Sequence, residues 1–441
     1  MHYGGENHMR AMIMIVMLLG TACAEREMQD AAAQFDPLAE RYVRLALALG
    51  EHDADYVDAY FGPAEWREAA RANPQSLAEI ASSAAALAAA VRAIDVSGQE
   101  YLLVLRQDFI ASHLESLAAV ARMRDGASYS FDEESRLIYG FVAPTFPREH
   151  YEQALLEIEA ILPGDGPLHE RVHAFRQQFR VPPKNLEAVI RAGIDECRAR
   201  TLRHMQLPDG ESFQLEMVSG NPWGAYNWYQ GNAQGLIQVE TSRPTYIASA
   251  TRLGCHEGYP GHHAFSSLLD QNFLQNRGWV EFSVLPLFSP QGLIFEGSGD
   301  FAERVAFPGS SKNTFLRDSI LPLAGIKDVD FASNDRLNAA SNRIRYAGIE
   351  AARNYLDGRW DRQQARDWIT RYALVAPEQV DAWFGFAERY RAYTINYVLG
   401  EDLVETFVRH ENPDADEDGD WQALALLLNY PPTPLLFANL P

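Results

Sequence analysis

Apolar residues recur at helical spacing through most of the chain, and the pattern turns strand-like in a single window, between residues 211 and 242. A barrel, a sandwich or a regular βαβ sheet needs strands spread along the sequence, so this distribution argues against all three. The first helical run opens at Asp36-Pro37, an N-cap with a first-turn proline, and carries Leu38, Tyr42, Leu45 and Leu49 before Gly50. Further helices are predicted over 75–93, 98–124, 131–139, 148–162, 167–179 and 184–205, divided by turn residues such as Pro74, Gly126, Pro144, Gly164 and Pro182-Pro183. In the exceptional window, FQLEMV, AYNWYQ and GLIQVET are rich in β-branched and aromatic residues, and Ser219 to Pro222 and Gly231-Asn232 separate them. That pattern predicts a small antiparallel sheet. Helices resume near 245, with breaks near Gly278, Pro286, Pro308, Pro322, Gly358 and Pro377, and PPTPLLFANLP reads as an extended tail. No linker of biased composition divides the chain. The expected fold is mainly α: one large helical body over 36–441, with a first helical half at 36–207, a second half at 208–441, and a deep cleft.

Of the 441 residues, 60 are acidic and 38 basic, a formal net charge of −22. With no basic stripe to offset this, nucleic acid is set aside as a partner. A hydrophobic fraction of 47% is ample for a core and excludes a largely disordered chain.

From Met9, an alternative start, the sequence reads MRAMIMIVMLLGTACAE: one positive residue, an apolar run from Ala11 to Leu19, then small residues before Cys23. The run is about half the roughly 20 apolar residues of a membrane-spanning helix, so it reads as an export signal over 1–22. Small residues before a cysteine resemble a bacterial lipobox, which implies lipidation of Cys23 and a tether over 23–35. A signal peptide without lipidation is the alternative, because Gly20 stands where leucine is usual. Ala24 points to outer-membrane sorting, facing the periplasm. Cys197 and Cys255 are the other cysteines, which excludes a disulfide-rich scaffold and leaves one bridge or two free thiols open.

The segment that carries chemistry is HEGYPGHH, residues 256–263, within a predicted helix. A histidine followed by glutamate, with a second histidine on the same face, supplies two imidazole ligands and a general base to a zinc ion. The usual spacing is four. Six or seven residues of straight helix would part the histidines by roughly 10 Å, too far to share an ion. Pro260 and Gly261 provide a cause for distortion, since proline cannot donate to the carbonyl four residues back. Forty residues after His256, LIFEGSGDFAE holds Glu296, Asp300 and Glu303. Glu296 and Asp300 share a helical face, as required if Glu296 binds metal while Asp300 accepts the free N–H of a ligand histidine. Tyr393 and Tyr397, in AYTINYVLG, are phenols able to stabilise an oxyanion. A calcium-like run, Asp414, Asp416, Asp418, Gly419 and Asp420, has Ala425 where a bidentate glutamate belongs and reads as an acidic loop.

HEGYPGHH, the EGxxxxxE pattern from Glu296 to Glu303 and the NYVLG ending resemble the bacterial domain-of-unknown-function 885 family, over roughly 210–410. Its corresponding segments typically read HEAxPGHH, EGWALYxE and ALSYKxG. The resemblance implies a gluzincin-like zinc metallopeptidase with an all-helical body and one zinc per chain. Carried over by position, His256, His262 and Glu296 are its ligands, Glu257 its general base and Tyr397 its oxyanion donor. His262 is preferred to His263 because a Gly-His step closes the motif in other helical zinc peptidases. Ser298, Gly299, Asp300 and Phe301 depart from the family pattern, as does Arg391-Ala392-Tyr393, so substrate preference does not carry over.

The resulting expectation is an exported zinc peptidase acting on short peptides. One alternative is an amide or isopeptide hydrolase of cell-wall fragments or a small amidated metabolite. The other is a non-catalytic lipoprotein that binds metal or peptide. The strand GLIQVET is expected to accept an extended peptide as an added strand.

Overall fold

The computed structural model describes residues 33–221, 223–438 and 440. The signal segment at 1–22, Cys23 and the tether up to residue 32 lie outside the described residues. The first helix starts at 33, earlier than the Asp36-Pro37 pair suggested. Asp36 serves elsewhere: its carboxylate accepts from Arg106 at 2.8 Å.

Helices at Leu77–Arg92, Tyr101–Arg124, Phe131–Tyr139, Arg148–Ile161, Leu168–Arg176 and Leu186–His204 follow the predicted runs. Their starts have local causes. Ser76 and Ser130 each accept the backbone N–H three residues on, while Glu79 and Glu133 reach back to the cap N–H. Tyr101–Arg124 is buried around most of its circumference, including Leu105, Phe109, Leu114 and Leu117, and so serves as a packing surface on several sides. Its Arg106 is also buried and donates to Glu281 at 2.6 Å, which keeps both charges paired inside the core. One core cluster includes Phe35 near the start of the described chain and Phe437 near its end. The tail is less extended than predicted: Pro434–Phe437 forms a 3-10 turn with Leu436 and Phe437 buried.

Among the described residues five strands complete the fold: β1 (Val57–Tyr60), β2 (Ser212–Val218), β3 (Ala225–Gly231), β4 (Gln234–Glu240) and β5 (Val284–Pro286). The pair β3–β4 is an antiparallel hairpin whose turn has positive φ at Asn232 and Ala233, as a tight two-residue connection favours. Strand β2 joins β4 in parallel, so the sheet order is β2-β4-β3. GLIQVET, expected to accept a peptide strand, is therefore central: its backbone is already paired on both sides. The antiparallel β1–β5 pair was not foreseen, because it joins segments far apart in sequence.

Close helix contacts set the framework of the second half. A Cβ on Gly297 would lie 2.2 Å from the backbone of Gly400, so helices Pro290–Ala306 and Ile395–Glu411 touch at a pair of glycines. A Cβ on Gly193 would likewise meet the Ala250 carbonyl oxygen at 1.9 Å. Beside that contact Cys197 and Cys255 form a disulfide, with Cα atoms 5.4 Å apart. No helix among the described residues is long and apolar enough to cross a membrane.

Candidate metal centre

The HEGYPGHH segment is not a straight helix. An α-helical turn, Ala248–Leu253, widens into a π-helical stretch, Gly254–Gly258, and the chain leaves the helix before re-entering at His262–Leu269. At the fold-back Tyr259 N–H donates to Gly254 O at 3.1 Å and Gly261 N–H to Cys255 O at 2.9 Å. Gly261 is pressed so closely onto this turn that a Cβ would lie 2.0 Å from the His256 carbonyl oxygen. The break places the two imidazole rings at right angles, centroids 4.5 Å apart, instead of about two turns apart.

Helix Pro290–Ala306 brings the third group. One nitrogen of His256, one of His262 and one carboxylate oxygen of Glu296 all lie within 4.8 Å of one another. The Nε2 atoms of His256 and His262 are 3.3 and 3.9 Å from Glu296 Oε2. His256 Nδ1–H donates to Asp300 Oδ1 at 2.9 Å, which orients the ring with Nε2 facing Glu296 and His262. Gly299 makes room for this ring, since a Cβ there would stand 2.9 Å from it. Phe295 stacks on His262. Tyr393 O–H donates to Glu296 Oε1 at 2.6 Å, whereas Glu296 Oε2 is buried with no hydrogen-bond donor. A bare buried carboxylate oxygen costs about 1–3 kcal/mol or more. Two imidazoles and a carboxylate around that oxygen are the donor set of a catalytic zinc site, so these residues fit a divalent cation.

The centre opens on a cavity of about 800 Å³ lined by Glu257, Tyr393, Tyr397, Asp58, Tyr226 and Arg252 among others. Asn227 of β3 donates to the Glu257 carbonyl at 2.7 Å and ties the sheet to the π-helical stretch. Burial pushes the Glu257 carboxyl up to about 7, opposed by the adjacent His256 and reinforced by Glu296. Burial would depress His256, but Asp300 and Glu296 outweigh it and raise the ring well above the usual histidine range. Burial, aided by His256, brings His262 down to about 4, so its nitrogen lone pair is free at neutral pH. For Glu296 burial acts upward, yet the nearby His256 and His262 rings and the Tyr393 hydrogen bond hold it below the usual range. Tyr397 has its phenol raised well above its ordinary value by burial first and by Glu296 next.

Not every predicted residue joins this group. His263 is fully buried, with Nε2 3.4 Å from Glu211 Oε2 and its ring among Phe213, Tyr229 and Tyr259. Glu303 accepts from Thr251 at 2.5 Å and pairs with Lys312 at 2.6 Å, so both its oxygens are engaged away from the triad. Tyr393, expected from the sequence as a phenol able to stabilise an oxyanion, instead donates its hydroxyl to Glu296. Asn227, Glu211 and Asp58 were not singled out at all. The only local signal for Asn227 is a polar residue in the middle of an aromatic strand.

No family model matches the chain, and no curated protein matches it. Among solved structures, it is similar to a candidate lipoprotein of Colwellia psychrerythraea, at 17% identity and a TM-score of 0.49, over 84% of this chain and 71% of the other. A candidate lipoprotein of unknown function from Shewanella oneidensis is similar at 13% identity and a TM-score of 0.43, over 82% and 76%. Likeness at this level assigns no activity.

Proposed function

We propose that this chain is an exported zinc-dependent hydrolase that cleaves amide bonds of short peptides, one zinc per chain held by His256, His262 and Glu296. The observation that carries the reading is the clustering of these three ligand atoms within 4.8 Å, beside Glu257, in a cavity that fits a small peptide. Zinc bound there would supply Lewis acidity towards a carbonyl oxygen and a water.

The remaining chemistry belongs to the chain. Glu257 accepts a proton from the attacking water and returns it to the leaving amine; a carboxyl poised near neutral pH can do both. The Tyr397 hydroxyl, protonated throughout the working range, donates to the oxyanion as it forms. Asp300 and Tyr393 fix the orientation of His256 and Glu296. Export as a Cys23-anchored lipoprotein of the outer membrane, facing the periplasm, belongs to the same proposal.

Elemental analysis and a peptide library test it together. The parent should hold one zinc and cleave short peptides, Glu296→Ala should lose the metal, and Glu257→Gln should keep metal and fold while losing about 100 to 10,000-fold in rate. Cleavage of muropeptides alone would move the reading to a cell-wall amide hydrolase. Zinc binding without hydrolysis of any amide would establish the non-catalytic lipoprotein instead.

A further inference from the structure

The cavity contains a carboxylate that the hydrolytic chemistry does not use. Asp58 lies on β1, and the antiparallel pairing of β1 with β5 holds it at the cavity wall. Its Oδ1 accepts from the Tyr226 hydroxyl on β3. No cation pairs with Asp58 among the described residues. Arg389, a cation of the same wall, is already committed to Asp55 through two hydrogen bonds of 2.7 and 2.8 Å. Burial, and next the negative field of Glu296, push the Asp58 carboxyl up to about 6, with the Tyr226 hydrogen bond opposing. The Tyr226 hydroxyl is its hydrogen-bond partner and brings no countercharge. The carboxylate is half-buried at the cavity wall, so a ligand seated there takes it out of water, and a positive charge on that ligand offsets the cost.

The surroundings suit a cation. The Tyr226 ring is 5.7 Å from Trp223 and 4.4 Å from Trp228, and Tyr390 lines the same cavity. Aromatic faces attract ammonium and guanidinium groups by their quadrupole.

Resting on the hydrolase reading, we propose that Asp58 and Tyr226 form a subsite for a cationic group of the substrate, an ammonium or guanidinium presented by the peptide N-terminus or by a basic side chain. Tyr226 positions the carboxylate and Asp58 carries the charge. The substrate class is then a short peptide with a positive group close to the scissile bond.

Calorimetric titration of zinc-loaded Glu257→Gln protein tests this without turnover, using trialanine, N-acetyl-trialanine and N-acetyl-Ala-Lys-Ala. Trialanine binding about 10 to 100-fold tighter than its acetylated form places the peptide N-terminus in the subsite. A similar advantage of N-acetyl-Ala-Lys-Ala over N-acetyl-trialanine places a basic side chain there. Adding Asp58→Asn should collapse either ratio towards one, and adding Tyr226→Phe should reduce it in part. A purely structural Asp58 would lower the melting temperature or weaken all three peptides alike, leaving the ratios intact. Equal affinity of the three peptides for the Glu257→Gln protein would overturn the proposal. Failure of the parent to cleave any peptide would sink the hydrolase reading alone, because the binding ratios do not depend on turnover.

Discussion

Replacing Gly261 by alanine should dismantle the centre, although the side chain gained is a single methyl group. The added Cβ would lie 2.0 Å from the His256 carbonyl oxygen and 2.3 Å from that of Cys255. Both lie well under the 3.0 Å that real Cβ atoms keep, and both obstacles are backbone, so no rotamer change relieves them. The fold-back must open, and opening it strains the Gly261 N–H to Cys255 O bond of 2.9 Å and the Tyr259 N–H to Gly254 O bond of 3.1 Å. At about 1–3 kcal/mol for each of the two buried hydrogen bonds broken, the loss is about 2–6 kcal/mol. Because the same turn brings the imidazoles of His256 and His262 to 4.5 Å, zinc should be lost together with stability. Gly385→Ala is the control. Gly385 lies in helix Val380–Tyr390 with nothing near its missing Cβ, so alanine there should stabilise by about 0.5–1 kcal/mol. Urea unfolding and zinc content of the two variants measure the contrast. A Gly261→Ala protein with parental stability and a full complement of zinc would refute the argument that this contact shapes the site.

Cleaving the Cys197–Cys255 link by a double serine substitution should cost about 2–4 kcal/mol of unfolding free energy, given the 58-residue separation it closes, and urea titration reads this directly. His113 is fully buried, its Nδ1 2.7 Å from the Phe109 carbonyl oxygen, and burial brings it down to about 4 against an unfolded value near 6.5. The unfolded chain therefore binds the extra proton between these values, so the contribution is complete above about 6.5 and is lost as pH falls towards 4. At 1.36 kcal/mol per unit it amounts to about 3 kcal/mol, and His113→Phe should flatten the stability profile in that window. An unchanged slope between pH 4 and 6.5 would assign the acid sensitivity to other groups.

Features set by nearby residues were legible in the sequence. The runs predicted over 75–93 and 131–139 form helices, which the structure starts at the capping boxes of Ser76 and Ser130, and the β3–β4 hairpin follows from strand residues around a turn. The distortion of HEGYPGHH was expected from Pro260 and Gly261, but the steric fit of Gly261 against the His256 and Cys255 carbonyls was not, because a fit against a folded-back turn is invisible until the turn exists. Features made by distant segments were not legible. The β1–β5 pair, and with it the placement of Asp58, depends on two short strands separated by more than half the chain, neither of which has a periodic signal long enough to read. The acidic run near 416 is explained locally. Asp416 accepts from Gly419 N–H at 2.9 Å as the N-cap of Glu417–Leu428, and Asp420 pairs with Arg409.

The two glutamates of EGxxxxxE show how far spacing alone can be pressed. Seven residues at about 100° each return Glu303 to nearly the face of Glu296, which makes it an attractive second carboxylate in projection. Along the axis, however, seven residues at 1.5 Å separate the two by roughly 10 Å, too far to share one ion. Asp300, four residues on, is displaced by only about 6 Å, which suits a group that holds the far nitrogen of a ligand histidine. The structure follows that arithmetic: Asp300 meets His256 Nδ1 at 2.9 Å, while Glu303 bonds Thr251 and Lys312. Glu303→Gln should therefore loosen the Lys312 contact and lower stability while leaving zinc content at the parental level. Asp300→Asn should do the reverse, weakening zinc binding about 10 to 100-fold through the orientation of His256. Competition against a zinc chelator measures both. Equal zinc affinity for the two variants would remove the distinction between the carboxylates and with it the axial argument.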